Sequence, residues 1–517
     1  MQHHKISWFI PVVFVGFAAL CATSAAPQKS EPNPPISAAR VEIFRGQLDS
    51  AEKVLWTVLS SDPNQPEALT LLGIIRGRQK RYSEAEALLR RAVQLDPKSL
   101  VARRNFASAL VEQNKPEAAV EQYKEVVKLA PRDHQAKVEL ARLYVAGGQF
   151  ADAFATLENI PNHQLPSDAV PVKAASLLGL GKRDEAAALI PRANRSPVIA
   201  AELAEVFLDG NAPEFAIKAL NEAFRASQNT PAHFYYLKGR ALQATGDASG
   251  ALNALREALT RDPKSVETLI AMAEVDASKN IHADSLALLK RAYALEPDSP
   301  VVLRALVLEA IKGGQPQTAS AAARALADKN PDNLGDLYLA GAAMLEGQDF
   351  VTAASVFDKY ISQRPEDGKG FLGLGIAQLA QQHYPEAKQA FERALQIDPK
   401  LADAEYQLGV LADRQGAAAE AVQHFERAIQ LQPQHAKALA SLGGQYLQAG
   451  DLEKALAVLQ RSVAADPKNP KAEYDLALVL SKIGKTEEAK RHMERSRALQ
   501  TAEDLGKNPA SVTSKPD

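Results

Sequence analysis

Between residues 436 and 469 the spacing of apolar positions describes two helices and the break between them. Leu439, Leu442, Gly443 and Tyr446 fall at i, i+3, i+4 and i+7, which is one face of an α-helix. Gly450-Asp451 interrupts the pattern, and Ala455, Leu459 and Val463 then mark a second amphipathic helix. Pro467 ends it, because proline has no backbone N–H to donate. The same punctuation recurs along the chain. Pro63, Pro97 and Pro131 are 34 residues apart, and so are Pro263, Pro297, Pro331, Pro365, Pro399, Pro433 and Pro467. The 132 residues from Pro131 to Pro263 equal four periods with four residues lost, so the phase survives an irregular middle. About fourteen helical hairpins are expected, with atypical ends.

Small residues hold fixed places in the period. Ten residues after the marker prolines stand Gly73, Ala107, Ala141, Ala273, Gly341, Gly375, Gly409, Gly443 and Ala477, with Val307 as the exception. Twenty-two residues after them stand Ala85, Ala119, Ala153, Ala319, Ala353, Ala387, Ala421, Ala455 and Ala489, with Ser285 the near miss. These are where the two helices must approach, since a large side chain would overpack the contact at a cost of about 1–3 kcal/mol. Ser99, Asp133, Ser265, Ser299, Asn333, Asp367 and Asn469 precede first helices as expected caps. One hairpin buries too little to offset a backbone entropy cost of roughly 1–2 kcal/mol per residue, so the units must stack.

The unit 402–435 carries Leu408, Gly409, Gly416, Ala421, Phe425, Ala428 and Pro433, and 368–401 carries Gly375, Tyr384, Ala387, Phe391, Ala394 and Pro399. This spacing resembles the tetratricopeptide repeat, over residues 36–503. The large residue usual at the fourth position is replaced by Arg103, Lys137, Glu405 and Glu473. Residues 160–231 fit worst, with Pro161, Pro166, Pro171, Pro191 and Pro197 crowded there; either repeat decay or a hinge accounts for it. The resemblance implies an all-α, right-handed superhelical solenoid of stacked antiparallel helix pairs, with first helices lining the concave side. Position five of each unit would face that groove: Thr70, Arg104, Val138, Tyr236, Ile270, Arg304, Tyr338, Leu372, Tyr406, Ala440 and Tyr474. Among these, Arg104, Tyr236, Arg304, Tyr338, Tyr406 and Tyr474 are the expected contacts to a bound peptide or helix. Some members of the family clamp a C-terminal carboxylate with lysine, asparagine and arginine. The corresponding Thr70, Ile74, Arg104, Ser108, Val138 and Arg142 do not make that pattern.

The N-terminus reads as an address. His3, His4 and Lys5 precede an apolar run from Ile6 to Leu20, followed by Ala22-Thr23-Ser24-Ala25-Ala26. That order of charged, apolar and small residues is a secretory signal, and a run with Pro11 inside it is short for a membrane span. The expectation is export to the periplasm or beyond, with an N-terminal membrane anchor as the alternative. Cys21 admits a lipid-attachment reading, which Leu20 before it disfavours. The expected organisation is a signal at 1–26, a Pro-rich tether at 27–36, repeat arrays at 37–159 and 232–503 flanking degenerate units at 160–231, and a disordered tail at 504–517.

Composition narrows the chemistry. Sixty basic against 62 acidic residues leave no basic field for nucleic acid, and aromatics are only 6%. One cysteine excludes a disulfide framework and a thiolate metal site. The remaining histidines, His134, His163, His233, His282, His383, His424, His435 and His492, make no tight ligand spacing and read as solvated helix residues. No phosphate loop or nucleophile elbow is present, and Gly373 and Gly375 fall in the packing frame. Carboxylates recur with the period, as helix ends do. The expectation is therefore no enzyme and no cofactor. The chain reads as an interaction scaffold binding protein segments in the cell envelope. The alternative is an adaptor in polysaccharide export or outer-membrane assembly, binding glycan or a membrane component.

Overall fold

A computed structural model describes residues 33–161, 164–193, 196–226 and 230–507. The signal at 1–26, most of the tether, His163 and residues 508–517 of the tail lie outside the described residues. Among those described there are helices and no strands. They form fourteen antiparallel pairs, from Pro34–Phe44 with Leu48–Ser61 to Pro470–Lys482 with Thr486–Lys507. Pro34 opens the first helix, three residues inside the stretch read as tether, because proline at a first helical position gives up an N–H that has no partner anyway. The last helix runs to Lys507, into the stretch read as disordered.

The hairpin turn is fixed by one backbone feature. Fourteen of the described residues adopt positive φ, one in each pair: eight glycines, including Gly416 and Gly450, and six polar residues, Lys80, Asn114, Asn211, Asn280, Gln348 and Gln382. The backbone N–H that follows bonds back to the first helix, as Asp451 N to Tyr446 O at 3.0 Å and His383 N to Gln378 O at 2.9 Å. Around the irregular region the spacing of these residues goes from Gly148 to Gly181 to Asn211 to Gly246. Most of the lost length therefore falls between Gly181 and Asn211. There the second helix is broken into Arg183–Ala187 and Ile190–Ala193, as Pro191 cannot continue a helix. The following pair, Pro197–Asp209 and Pro213–Ala226, is regular.

Between pairs the recurrent Asp-Pro is a turn. The carboxylates of Asp62, Asp96, Asp398 and Asp466 accept the backbone N–H two residues on, at 3.0–3.2 Å. Ser99, Asp133, Ser265, Asn333, Asp367 and Asn469 then cap the first helices as expected, whereas Ser299 makes no cap bond.

Packing within each pair explains the small residues. A Cβ on Gly73, Gly239, Gly341, Gly375, Gly409 or Gly443 would lie 2.4–2.8 Å from a side-chain carbon of Leu89, Leu255, Phe357, Phe391, Phe425 or Leu459, always sixteen residues on. Bulk on the second helix thus fills the hollow left on the first. At Val307 the sizes reverse: its partner in this register is Ala323, and both are fully buried. Three of the four replaced fourth positions are matched across the hairpin as well. Arg103 donates to Gln122 at 2.9 Å, Glu405 meets His424 at 2.8 Å, and the fully buried Glu473 meets His492 at 2.5 Å.

The chain divides into two compact units, residues 1–263 and 264–517. In the first, one continuous cluster of buried residues runs from Ala85 to Ala241 through the irregular stretch. That continuity speaks against a hinge there. In the second, successive clusters are built around Leu303, Leu326 and Met344, then Phe391, Phe425 and Leu459.

Candidate functional site

The first helices of the two units present different chemistry. In the second unit the first helices expose several large apolar or aromatic side chains among charged ones such as Lys369, Asp403 and Lys437. Leu308 is 43% exposed, Tyr338 37% and Tyr474 45%. Ile270, Leu372, Ile376, Tyr406 and Val410 are half-buried on the same series of helices. Tyr338 is held edge-on against Phe357 at 6.0 Å and leans on Tyr360 at 5.6 Å. Tyr406 packs 5.9 Å from Phe425 and 5.2 Å from the buried His435. Burial pushes both phenols up, so each stays a neutral hydroxyl on an apolar ring.

In the first unit the corresponding helices carry a charged set. Arg142 lies 3.6 Å from the carboxylates of Glu139 and Asp168. Gln135 donates to both acids at 3.1–3.2 Å. Burial pushes the Glu139 carboxyl up against the pull of Arg142, and does the same to Glu202. Asp209 is pushed up to about 6 by burial and by the like charge of Glu205. Glu205 bonds His233 at 2.9 Å, His233 stacks on Tyr236, and Arg240 donates to the Tyr236 hydroxyl at 3.2 Å.

The expected contact residues are thus divided. Tyr338 and Tyr474 are open, Tyr406 and Tyr236 half-covered, and the two arginines are engaged within the chain. Arg104 forms an ion pair with Asp133, the cap of the next first helix. Arg304 makes a bidentate pair with Asp336 at 2.6 Å for both bonds, and Asn330 donates to the same carboxylate at 2.6 Å. Position five is not uniformly exposed: Thr70, Val138 and Ala440 are buried, because neighbouring first helices close over them. Of the described histidines only His435 is buried, and several are paired with acids. His233, His282, His424, His435 and His492 each meet a carboxylate within 3.1 Å. For His424 and His492 the signal was present in the replaced fourth positions nineteen residues earlier. No group of three His, Cys, Asp or Glu among the described residues could hold a metal ion. Nor is any described helix long and apolar enough to cross a membrane. Sequence reasoning missed the acids at position six, Glu139, Glu202 and Asp475.

Comparison with known proteins is consistent with this geometry. One tetratricopeptide repeat model matches residues 78–133 and 110–175, and another matches 36–99 and 236–300. A model described as the C-terminal domain of cilia and flagella-associated protein 70 matches residues 332–511. The cellulose synthase operon protein C of Pseudomonas fluorescens (strain SBW25) is 28% identical over 269 residues, covering 50% of this chain and 19% of that protein. The protein CTR9 homolog of Arabidopsis thaliana is 29% identical over 145 residues, covering 28% of this chain and 13% of that protein. The chain thus spans less than a fifth of the length of these relatives. A solved tetratricopeptide repeat protein from Parabacteroides merdae is similar with a TM-score of 0.37 and 20% identity, covering 47% of this chain and 97% of that one.

Proposed function

Because this chain belongs to the tetratricopeptide repeat family, we propose that it is a non-enzymatic scaffold that binds protein segments in the cell envelope. The observation that carries this reading is the run of accessible apolar and tyrosine side chains on the first helices of the second unit, Leu308, Tyr338 and Tyr474 among them. Tyrosine suits such a surface. Its ring contributes broad apolar contact, its hydroxyl a hydrogen bond, and only two side-chain torsions are immobilised. The envelope location rests on the charged, apolar and small sequence of residues 3–26. A photo-crosslinking residue placed at Tyr338 or Tyr474 in cells gives discrete protein adducts on this reading. Placed at the exposed Lys388 on a second helix, it gives none. Equal labelling from all three positions overturns the reading. A reporter enzyme active only outside the cytoplasm, fused after residue 36, tests the location separately.

A second reading, an adaptor in polysaccharide export or outer-membrane assembly, is favoured by the likeness to a cellulose synthase operon protein over half the chain. Retention of the full chain on immobilised β-glucan, abolished by removing the same tyrosines, supports this alternative against the first.

A further inference from the structure

Asp475 stands on the first helix of the last pair, beside the exposed Tyr474, and is only 8% exposed. Its Oδ2 is buried and receives no hydrogen bond. The one cation that bears on it is Lys471, a turn earlier on the same helix, and no ion pair joins them among those of the described residues. Burial pushes its carboxyl up. A buried carboxylate without a donor is costly to keep, and folded chains normally supply one.

The chain itself shows what is missing. Glu139 occupies the same position six on the helix His134–Ala146, and there Arg142, three residues on, brings a guanidinium to 3.6 Å. The residue three places after Asp475 is Leu478, which is half-buried and whose side chain carries no donor. The neighbouring first helix places Gly444 alongside. A Cβ built on Gly444 would meet nothing within 4 Å except the Asp475 Oδ2 at 3.8 Å. Gly444 is itself partly open to solvent. Glu139 thus has a guanidinium from its own helix, whereas Asp475 has a leucine in that register. The side-chain-free Gly444 faces its Oδ2 at that distance, and it offers no side-chain donor.

We propose that Asp475 is the receptor for a basic side chain, arginine or lysine, carried by the bound protein segment. This rests on the reading of the chain as a binder of protein segments and adds to it the residue that recognises charge. The ligand's cation donates to the carboxylate that the fold leaves unpaired, and its alkyl stem lies over the bare backbone at Gly444.

The test uses small probes before any partner is known. N-acetyl-arginine amide, N-acetyl-lysine amide and the neutral isostere N-acetyl-citrulline amide are titrated into the full chain and read by saturation-transfer NMR. The basic amides bind saturably and the citrulline amide at least roughly tenfold more weakly, since only a charge-assisted bond restores the carboxylate. Two variants with separate logic each weaken the basic probes by a similar factor. Asp475→Asn removes the charge without changing shape, and Leu478→Arg supplies from within a cation in the register of Arg142. Equal binding of the citrulline amide, or unchanged binding to Asp475→Asn, overturns the proposal. A random peptide library selected on the full chain forms the second arm. A shared basic position, lost on Asp475→Asn while peptides are still recovered, is the expected result. Peptides recovered without that position overturn the proposal and leave segment binding standing. If no peptides are recovered although the arginine amide still binds, protein-segment binding fails and the cation site does not.

Discussion

The reversed pair at Val307 and Ala323 offers a direct trial of the packing rule. Elsewhere a small residue at position eight meets bulk sixteen residues on, as in Ala141 with Leu157 or Ala273 with Leu289. Val307→Ala deletes two buried methyl groups, at about 0.8 kcal/mol each in transfer terms. The cavity left behind brings the loss to about 2–3 kcal/mol. Ala323→Leu alone forces three extra carbons against Val307, at about 1–3 kcal/mol. If the two sites were independent the losses would add, to roughly 3–6 kcal/mol. In the double variant, however, the leucine enters the hollow that the valine vacates and reproduces the pairing of Ala141 with Leu157. The expected net loss is then about 1 kcal/mol or less, a coupling of about 2–5 kcal/mol. Tandem arrays do not unfold in a single step, so a global midpoint is a poor readout. Native-state hydrogen exchange of the amides in Pro300–Lys312 and Pro316–Lys329 reports the hairpin itself. A double variant as unstable as the sum of its singles refutes the rule.

Three further outcomes follow from the same structure. Gln348→Gly and Gln382→Gly relieve a left-handed backbone at φ 62° and 63°, and each raises stability by about 1 kcal/mol in the exchange of its own hairpin. Arg304→Leu leaves Asp336, which is 2% exposed, with Asn330 as its remaining side-chain donor. We expect a local loss of about 2–3 kcal/mol, largely recovered by adding Asp336→Asn, and exchange protection measured for the pair checks it. Asp209 has a folded-state value of about 6, above the ordinary 3.8. The fold therefore favours its protonated form, and that contribution is complete below the ordinary value and lost as pH rises through about 6. The local opening free energy from hydrogen exchange of the amides in Pro197–Asp209, followed from pH 4 to 7, should show Asp209→Asn flattening that decline and raising protection at pH 7.

The sequence by itself determined the period, the two helices in each unit, the Asp-Pro turns and the small residues at position eight. All of these are local, repeating choices. A helix face, a cap or a proline break is set by residues a few places apart, and iteration repeats the signal in nearly every unit. It marked the irregular middle without locating it. Five prolines look alike in sequence, yet Pro161 and Pro191 fall in the span of second helices, one of which stops at Glu158 and the other of which is split, whereas the pair beginning at Pro197 is regular. In six of the fourteen hairpin turns the left-handed residue is not a glycine, so these positions were not legible. What the tertiary structure alone decided is which surface side chains are free. Arg104 and Arg304 looked available until residues 29 and 32 places away, Asp133 and Asp336, engaged them. Asp475 looked like one more helix carboxylate until Gly444, on another helix, was seen to leave it buried without a donor. Burial and pairing depend on neighbours distant in sequence, and a one-dimensional period contains no record of them.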